Sequence, residues 1–112
     1  MNVYDCANEL ARAIRESHEL NKLKEAKAVL DKDADAKKMV DDFLKLRQEV
    51  EIAKYQGQDV DMAKQDKLQQ LYTLLSLNSD AQNYLSAFMR FQMMMGDISK
   101  AISDPVKAVM GE

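Results

Sequence analysis

Few side chains in this sequence are of the types that perform chemistry, and their spacing does not bring them together. The chain has one histidine, His18, and one cysteine, Cys6, among 112 residues. Nucleophilic catalysis would require Cys6 or a serine to meet His18 across the fold, and nothing in the spacing indicates such a pair. We therefore expect His18 to be exposed or to cap a helix, and Cys6 to be a packed thiol.

The carboxylates form no recognisable catalytic or metal-binding pattern. Asp41 and Asp42, like Glu49 and Glu51, stand among lysines and arginines at helical positions, which indicates a solvated, salt-bridged face. A di-metal helical bundle needs Glu-x-x-His motifs on facing helices, and the sequence has none. The three glycines lie far apart, so there is no glycine-rich phosphate loop.

These observations predict a protein that is not an enzyme, with no catalytic residues, no metal ligands and no cofactor. A single cysteine cannot hold zinc or an iron–sulfur cluster within one subunit. One alternative remains open, a metal or cofactor site shared between subunits, to which several copies would each contribute Cys6 or His18.

Composition and charge are typical of a soluble domain that does not bind nucleic acid directly. Apolar residues make up 46% of the chain and charged residues 31%. The length predicts one helical domain over residues 1–112. The net charge is -3, and acidic and basic side chains are mixed along the chain rather than gathered into the basic stripe of a nucleic-acid binder.

A lone cysteine fits a reducing compartment, so we expect a cytoplasmic protein. Residues 1–10 contain Asp5 and Glu9 and lack the basic leader and apolar run of a signal peptide. The most apolar window, residues 84–102, is interrupted by charged and polar side chains, so we expect no membrane span.

Scarce glycine and proline, and no alternation of apolar with polar residues, predict an all-α fold. The first helix should begin near Asn2, with a break near Ser17, and the sequence leaves open whether residues 2–30 form one bent helix or two. A long helix should follow an aspartate cluster around Asp33, span residues 34–56 and end at Gly57.

Two more helices complete the predicted chain. The first should be capped by Asp59 or Asp61 and end near residue 78. Ser79 and Gln82 resemble a capping box for the last long helix, and Pro105 should end it, leaving residues 106–110 as one short turn. Because short connections favour antiparallel neighbours, we predict an elongated antiparallel bundle with two long helices.

The last long helix is apolar around more of its circumference than one buried face needs. One stripe, at spacings of three and four, comprises Ala81, Tyr84, Phe88, Phe91, Met95, Ile98 and Ile102. Further apolar residues lie outside the stripe, and three consecutive methionines fan across about 200° of helix. A helix that is apolar on most sides needs partners on most sides, so we predict a homo-oligomer, either a dimer or a tetramer.

The predicted oligomer interface is centred on Gly96, where a close helix crossing would be possible. Its residues are Tyr84, Phe88, Met89, Phe91, Met93, Met94, Met95, Gly96 and Ile98. Two other interpretations of the methionines stay open, a plain core and an open groove for another protein. If Phe88 or Phe91 is fully buried, its replacement by alanine should cost about 3 to 5 kcal/mol.

Several segments resemble the YheA branch of the YlbF/YmcA/YheA-like family of small helical proteins of Gram-positive bacteria. These segments are residues 3–10, Phe43 with residues 48–50, Gly57, residues 98–102 and residues 104–106. The resemblance covers essentially the whole chain, and it implies an all-helical subunit with long antiparallel helices that forms dimers or higher oligomers.

For function, the resemblance implies less than it does for the fold. The YlbF and YmcA branches are similar to regulatory partners in RNA processing and in competence, sporulation and biofilm development, whereas the YheA branch implies no particular activity, and no functional residue is carried over. The excess apolar surface of residues 84–102, together with the missing catalytic groups, predicts a cytoplasmic, non-enzymatic interaction or regulatory module that self-associates. An adaptor in an RNA-processing or developmental complex is the alternative.

Overall fold

A computed structural model describes residues 1–111, and within them the regular secondary structure is all helical, joined by turns and short irregular segments. The five helices are α1 (Val3–Arg15), α2 (His18–Leu30), α3 (Ala34–Tyr55), α4 (Met62–Ser76) and α5 (Ser79–Met110). The predicted all-α class is confirmed, with α3 and α5 as the two long helices.

The first two helices are separate, which settles the question left open over residues 2–30. The Asn2 side chain accepts a hydrogen bond from the Asp5 amide at 2.8 Å and so caps α1. At the predicted break, the Ser17 hydroxyl donates to the Ile14 carbonyl at 2.6 Å and accepts from the Leu20 amide at 3.2 Å. One side chain thus serves the end of α1 and the start of α2.

Both ends of α3 follow the prediction. Asp33 caps its start by accepting a hydrogen bond from the Ala36 amide at 3.1 Å. At its end, Gly57 takes a left-handed conformation with φ of 73°. The Gln58 amide then donates to the carbonyl of residue 53 at 2.9 Å and the Gly57 amide to that of residue 54 at 3.1 Å. This is the Schellman arrangement, which pairs carbonyls that a helix end would otherwise leave free.

Of the two proposed caps of α4, Asp61 is the one used, because its side chain accepts from the Ala63 amide at 2.9 Å. The predicted capping box at Ser79 is wrong by one residue. Asn78 caps α5, since its side-chain oxygen accepts from the Ala81 amide at 3.1 Å. An asparagine directly before the helix can satisfy the same free amides, which leaves Ser79 inside the first turn.

The predicted end of α5 at Pro105 is also wrong, because the helix continues through the proline to Met110. Proline removes one backbone donor and crowds the carbonyl four residues earlier, which can kink a helix without ending it. In the turn just before the proline, Lys100 and Asp104 form an ion pair with a nitrogen–oxygen distance of 2.9 Å. The helix ends instead before Gly111, which has a φ of 77°.

The helices α3 and α4 form an antiparallel pair. The rings of Phe43 and Tyr72 have centroids 5.8 Å apart, and Glu49 pairs with Lys64 at 3.8 Å. As the residue number rises along α3, the number of its partner on α4 falls, which confirms the predicted antiparallel packing for this pair.

The chain divides into two compact units, residues 26–85 and residues 1–25 with the chain from Ser86 onward. The first unit holds the apolar core, whose buried side chains are Leu30, Ala36, Val40, Phe43, Val50, Leu75, Ala81 and Leu85. Among the described residues of the second unit, no apolar side chain is fully buried. That residues 1–112 act as a single domain stays a prediction.

Candidate functional site

The residues most capable of chemistry are not gathered into a reactive centre. His18 is the first residue of α2 and is exposed, while Cys6 lies half-buried in α1. The exposed position of His18 agrees with the prediction. Within residues 1–111, histidine, cysteine, aspartate and glutamate side chains do not come together in threes to hold a metal ion.

Three of the carboxylates singled out in the sequence, Asp42, Glu49 and Glu51, pair with cations on the surface, as predicted. Asp42 pairs with Lys38 at 3.0 Å, and Glu51 with Arg47 at 3.0 Å. Both are pairs four residues apart on one helix, and such exposed pairs stabilise a helix by only a few tenths of a kcal/mol. They indicate a solvated face and offer no acid/base site.

A polar cluster joins the end of α2 to the start of α3. Asp31 accepts a hydrogen bond from Lys27 at 2.9 Å and lies 3.5 Å from the Lys37 ammonium. The hydrogen bond from Lys27 lowers the pKa of the Asp31 carboxyl, and the same bond raises the pKa of Lys27. Both shifts favour the charged forms, so the cluster is a structural ion pair between exposed side chains.

Tyr84 contributes a partly buried hydroxyl near this cluster. Burial raises the pKa of Tyr84 above its usual value, and the positive charge of Lys27 acts in the opposite direction. The hydroxyl therefore stays protonated at neutral pH and can act as a hydrogen-bond donor. To act as a base, Tyr84 would have to be ionised, and its partly buried surroundings disfavour the phenolate.

A groove between α3 and α4 was not anticipated from the sequence. Its volume is about 500 Å³, and its lining residues are Phe43, Arg47, Val50, Glu51, Lys54, Gln65, Leu68, Gln69 and Tyr72. The signal for it was present, because Phe43 and Val50 lie seven residues apart on α3 and Leu68 and Tyr72 four apart on α4. An apolar floor with a polar rim can bind a peptide or a helix, and it contains no convergent catalytic groups.

The predicted oligomer interface lies along α5, and most of its members are half-buried within the chain itself. The half-buried members are Tyr84, Phe88, Met89, Phe91, Met94, Met95 and Ile98. Met93 is 70% exposed. Gly96 is also exposed, and a methyl group added there would meet nothing within 4 Å.

These residues do not lie on one face of the helix. At 100° per residue, Tyr84, Phe88, Phe91, Met95 and Ile98 fall within about 40° of a single line along α5. Met93 lies about 180° from that line, on the face that carries the charged side chains of this segment. Those side chains are Arg90, Asp97, Lys100, Asp104 and Lys107.

Exposed apolar residues on α5 beyond Ile102 were not anticipated from the sequence. Ile102, Val106, Val109 and Met110 are all more than half exposed. The spacing of Val106 and Val109 continues the stripe of α5. The prediction that Pro105 ends the helix excluded these residues from it.

The fold and surface define a class of small all-helical protein that has exposed apolar residues along its last helix. Within residues 1–111, no helix is both long enough and apolar enough to cross a bilayer. Residues 3–107 match the family model described as control of competence regulator ComK, YlbF/YmcA. The chain belongs to this family.

Relatives of similar length support the assignment. A UPF0342 protein of Caldicellulosiruptor saccharolyticus is 46% identical over 94% of this chain and 88% of its own length. UPF0342 proteins of Desulfitobacterium hafniense and Streptococcus agalactiae are 36% and 34% identical, over 98% and 97% of this chain and 89% and 98% of their own lengths. The names of these relatives state no enzymatic activity, and the family description refers to control of the competence regulator ComK. The family resemblance is confirmed, and the assignment to the YheA branch stays a prediction.

Proposed function

We propose that this protein is a cytoplasmic, non-enzymatic interaction module. It self-associates through α5 as a dimer or tetramer and acts in regulation by binding another protein. The family description, which concerns control of a competence regulator, supports a regulatory role. The charge pattern, with a net charge of -3 and mixed signs, supports a protein partner rather than a nucleic acid.

The observation that carries the proposal is the apolar surface that α5 retains in the single chain. Phe91, Met95 and Ile98 are only half-buried, and apolar side chains closer to its C-terminus are exposed. Water contact with such a continuous stripe is unfavourable, and contiguous exposed apolar surface marks interaction sites in soluble proteins. A second subunit would remove this surface from water.

The helical positions divide the predicted interface residues into two groups. We propose that the stripe residues form the contact, with Met94 at its edge, about 80° from the central line. Met89, Met93 and Gly96 lie more than 100° from that line. The sequence predicts them as interface residues, whereas their helical positions lead us to propose that they lie outside the contact, so Met93 serves as the control.

The first test is the oligomeric mass of the full chain by light scattering, with Met94→Lys and Met93→Lys beside the wild type. We expect a dimer or tetramer for the wild type, a lower mass for Met94→Lys and an unchanged mass for Met93→Lys. Circular dichroism checks that each variant keeps its helical content. The melting temperature of the wild type should rise with protein concentration, because only the folded subunit associates.

A monomer mass at all concentrations, together with a melting temperature independent of concentration, would contradict self-association. The partner is tested separately by pull-down from the organism's own cytoplasm. A protein that is retained by the wild type and lost from a variant with intact oligomeric mass would identify the partner-binding surface. Enzymatic turnover by the purified chain would contradict the non-enzymatic part of the proposal.

A further inference from the structure

The groove between α3 and α4 is formed by one stripe of side chains from each helix. The stripe runs from Phe43 to Lys54 on α3 and from Gln65 to Tyr72 on α4. At 100° per residue, the lining residues of each helix fall within about 100° of its circumference. All of them lie in the compact unit of residues 26–85, so this unit contains the whole groove.

The floor of the groove is apolar and part of its wall remains in contact with water. Phe43 and Val50 are 6% and 5% exposed, so they close the floor. Leu68 is half-buried, and Tyr72, whose ring packs against Phe43, is 42% exposed. Apolar side chains of a partner could therefore remove further apolar surface of α4 from water, which is favourable.

The charges that line the groove are positive on balance, although the chain as a whole has a net charge of -3. The side chains contributed by α4 are uncharged, and those of α3 include Arg47, Glu51 and Lys54. Arg47 and Glu51 form an ion pair at 3.0 Å. Lys54 is exposed, and among residues 1–111 its ammonium has no carboxylate partner. Lys54 thus places an uncompensated positive charge at one end of an apolar groove.

From this arrangement we infer that the groove binds an amphipathic helix of another protein, and that the polar face of this helix carries acidic residues. The inference rests on the partner-binding part of the proposed function, and it specifies the surface and the class of partner. It does not depend on self-association through α5.

The shape of the groove favours a helix over an extended segment. From Phe43 to Lys54 the groove follows α3 for roughly 16 Å, which is about three helical turns. Its walls are side chains of two helices, and they offer no strand edge to the backbone amides and carbonyls of an extended segment. A helix satisfies these groups internally, and an apolar face laid into a groove is a common mode of peptide recognition.

Charge complementarity favours an acidic helix over the other occupants. A carboxylate near Lys54 would gain a partner, whereas a basic side chain there would face a like charge, which is unfavourable. The one uncompensated cation is too few to hold a nucleic acid, because phosphate backbones are bound through several cations. The apolar positions of the partner would cover Leu68 and Tyr72, and its acidic positions would lie toward α3.

The test uses a set of labelled peptides of about 14 residues, which is roughly four helical turns. The acidic peptide has leucines at spacings of three and four and glutamates at its polar positions. A basic peptide has lysine in place of each glutamate, and a third, acidic peptide has serine in place of each leucine. Fluorescence anisotropy gives the dissociation constants for the full-length wild type, Lys54→Glu and Lys45→Glu, and circular dichroism confirms that each variant is folded.

Lys45→Glu is the matched control, because Lys45 is an exposed lysine on α3 about 180° from Lys54. We expect the wild type to bind the acidic peptide at least about fivefold more tightly than the basic peptide. The net negative charge of the chain acts against this preference, so the preference must come from the groove. Lys54→Glu should weaken binding of the acidic peptide about threefold or more, and Lys45→Glu should leave it unchanged. The serine peptide should bind at least about tenfold more weakly, because it has no apolar face.

Several outcomes would overturn the inference without affecting self-association. These are binding of neither leucine peptide, equal binding of the acidic and basic peptides, and equal effects of Lys54→Glu and Lys45→Glu. A lower oligomeric mass of Lys54→Glu by light scattering would also overturn it, because a second copy would then occupy the groove. A natural partner retained equally by the wild type and Lys54→Glu would overturn it and leave partner binding standing. A monomeric wild type that prefers the acidic peptide would contradict self-association and support the inference.

Discussion

At the scale of single residues, the phenylalanine side chains differ in how much of their surface is buried within a single chain. Phe43 is 6% exposed and packs against Tyr72 in the core formed with α4. Phe88 and Phe91 are only half-buried in the single chain, so the full-burial condition considered from the sequence is not met there. A core position and a position in the proposed interface thus have different expected energetics.

Replacing Phe43 by alanine should destabilise the protein by about 3 to 5 kcal/mol, because it removes a buried ring and leaves a cavity. The measurement is urea unfolding followed by circular dichroism at fixed protein concentration. Tyr55→Ala is the control, since Tyr55 is 94% exposed on the same helix and should change stability by less than about 0.5 kcal/mol. Equal effects of the two substitutions would show that the core is not where the structure places it.

At the scale of elements, the chain uses short polar side chains to start helices and glycine to end the two long ones. Asn2, Ser17, Asp33, Asp61 and Asn78 each accept a hydrogen bond from a backbone amide in the first turn of the helix that follows. This chemistry is local, so it can be recognised from residue types within four positions of the boundary.

Two glycines should respond to alanine in opposite directions. Gly57→Ala should destabilise the protein by about 1 to 2 kcal/mol, because φ of 73° is unfavourable for a residue with a side chain. Gly96→Ala should stabilise it by about 0.5 to 1 kcal/mol, because Gly96 lies inside a helix with open space beside it. Urea unfolding of both variants at one protein concentration checks the signs.

The variant Gly96→Ala also tests the predicted helix crossing at Gly96. If two subunits cross closely there, the added methyl group would clash across the interface, and Gly96→Ala would lower the oligomeric mass or the stability. A more stable variant with unchanged mass would place the crossing elsewhere on α5.

At the scale of the whole molecule, charge decides which partners are favourable. Acidic residues number 19 and basic residues 16, and the ion pairs found on the surface join neighbouring turns of one helix or adjacent elements. A large basic patch would be needed to attract phosphates at physiological salt.

The purified protein should therefore bind RNA no more tightly than about 10⁻⁴ M at physiological salt, the weak end of non-specific binding. Fluorescence anisotropy of a labelled single-stranded RNA, titrated with protein at two salt concentrations, measures this. Tight, salt-sensitive binding would contradict the interpretation of the charge pattern. Binding that appears only when a partner protein is added would agree with an adaptor role.

Much of the architecture could be predicted from the sequence because it depends on neighbours along the chain. The all-α class, the break at Ser17, the start of α3 and its end at Gly57 all follow from local propensity and capping chemistry. The cap of α5 was misplaced by one residue, since serine and asparagine compete for the same role. The end of α5 was misplaced because proline weakens a helix locally without determining whether the helix continues.

The sequence by itself determined the fold class, the family and the absence of a recognisable catalytic motif, because residue types and their spacing along a helix are enough to define these properties. Only the tertiary structure decided which apolar residues are covered by the subunit. Burial depends on segments distant in sequence: α3 and α4 enclose Phe43, whereas Ile102 and Val109, equally apolar, stay exposed. Periodicity marks an apolar face, but it does not say whether the face meets the chain's own core or a second molecule.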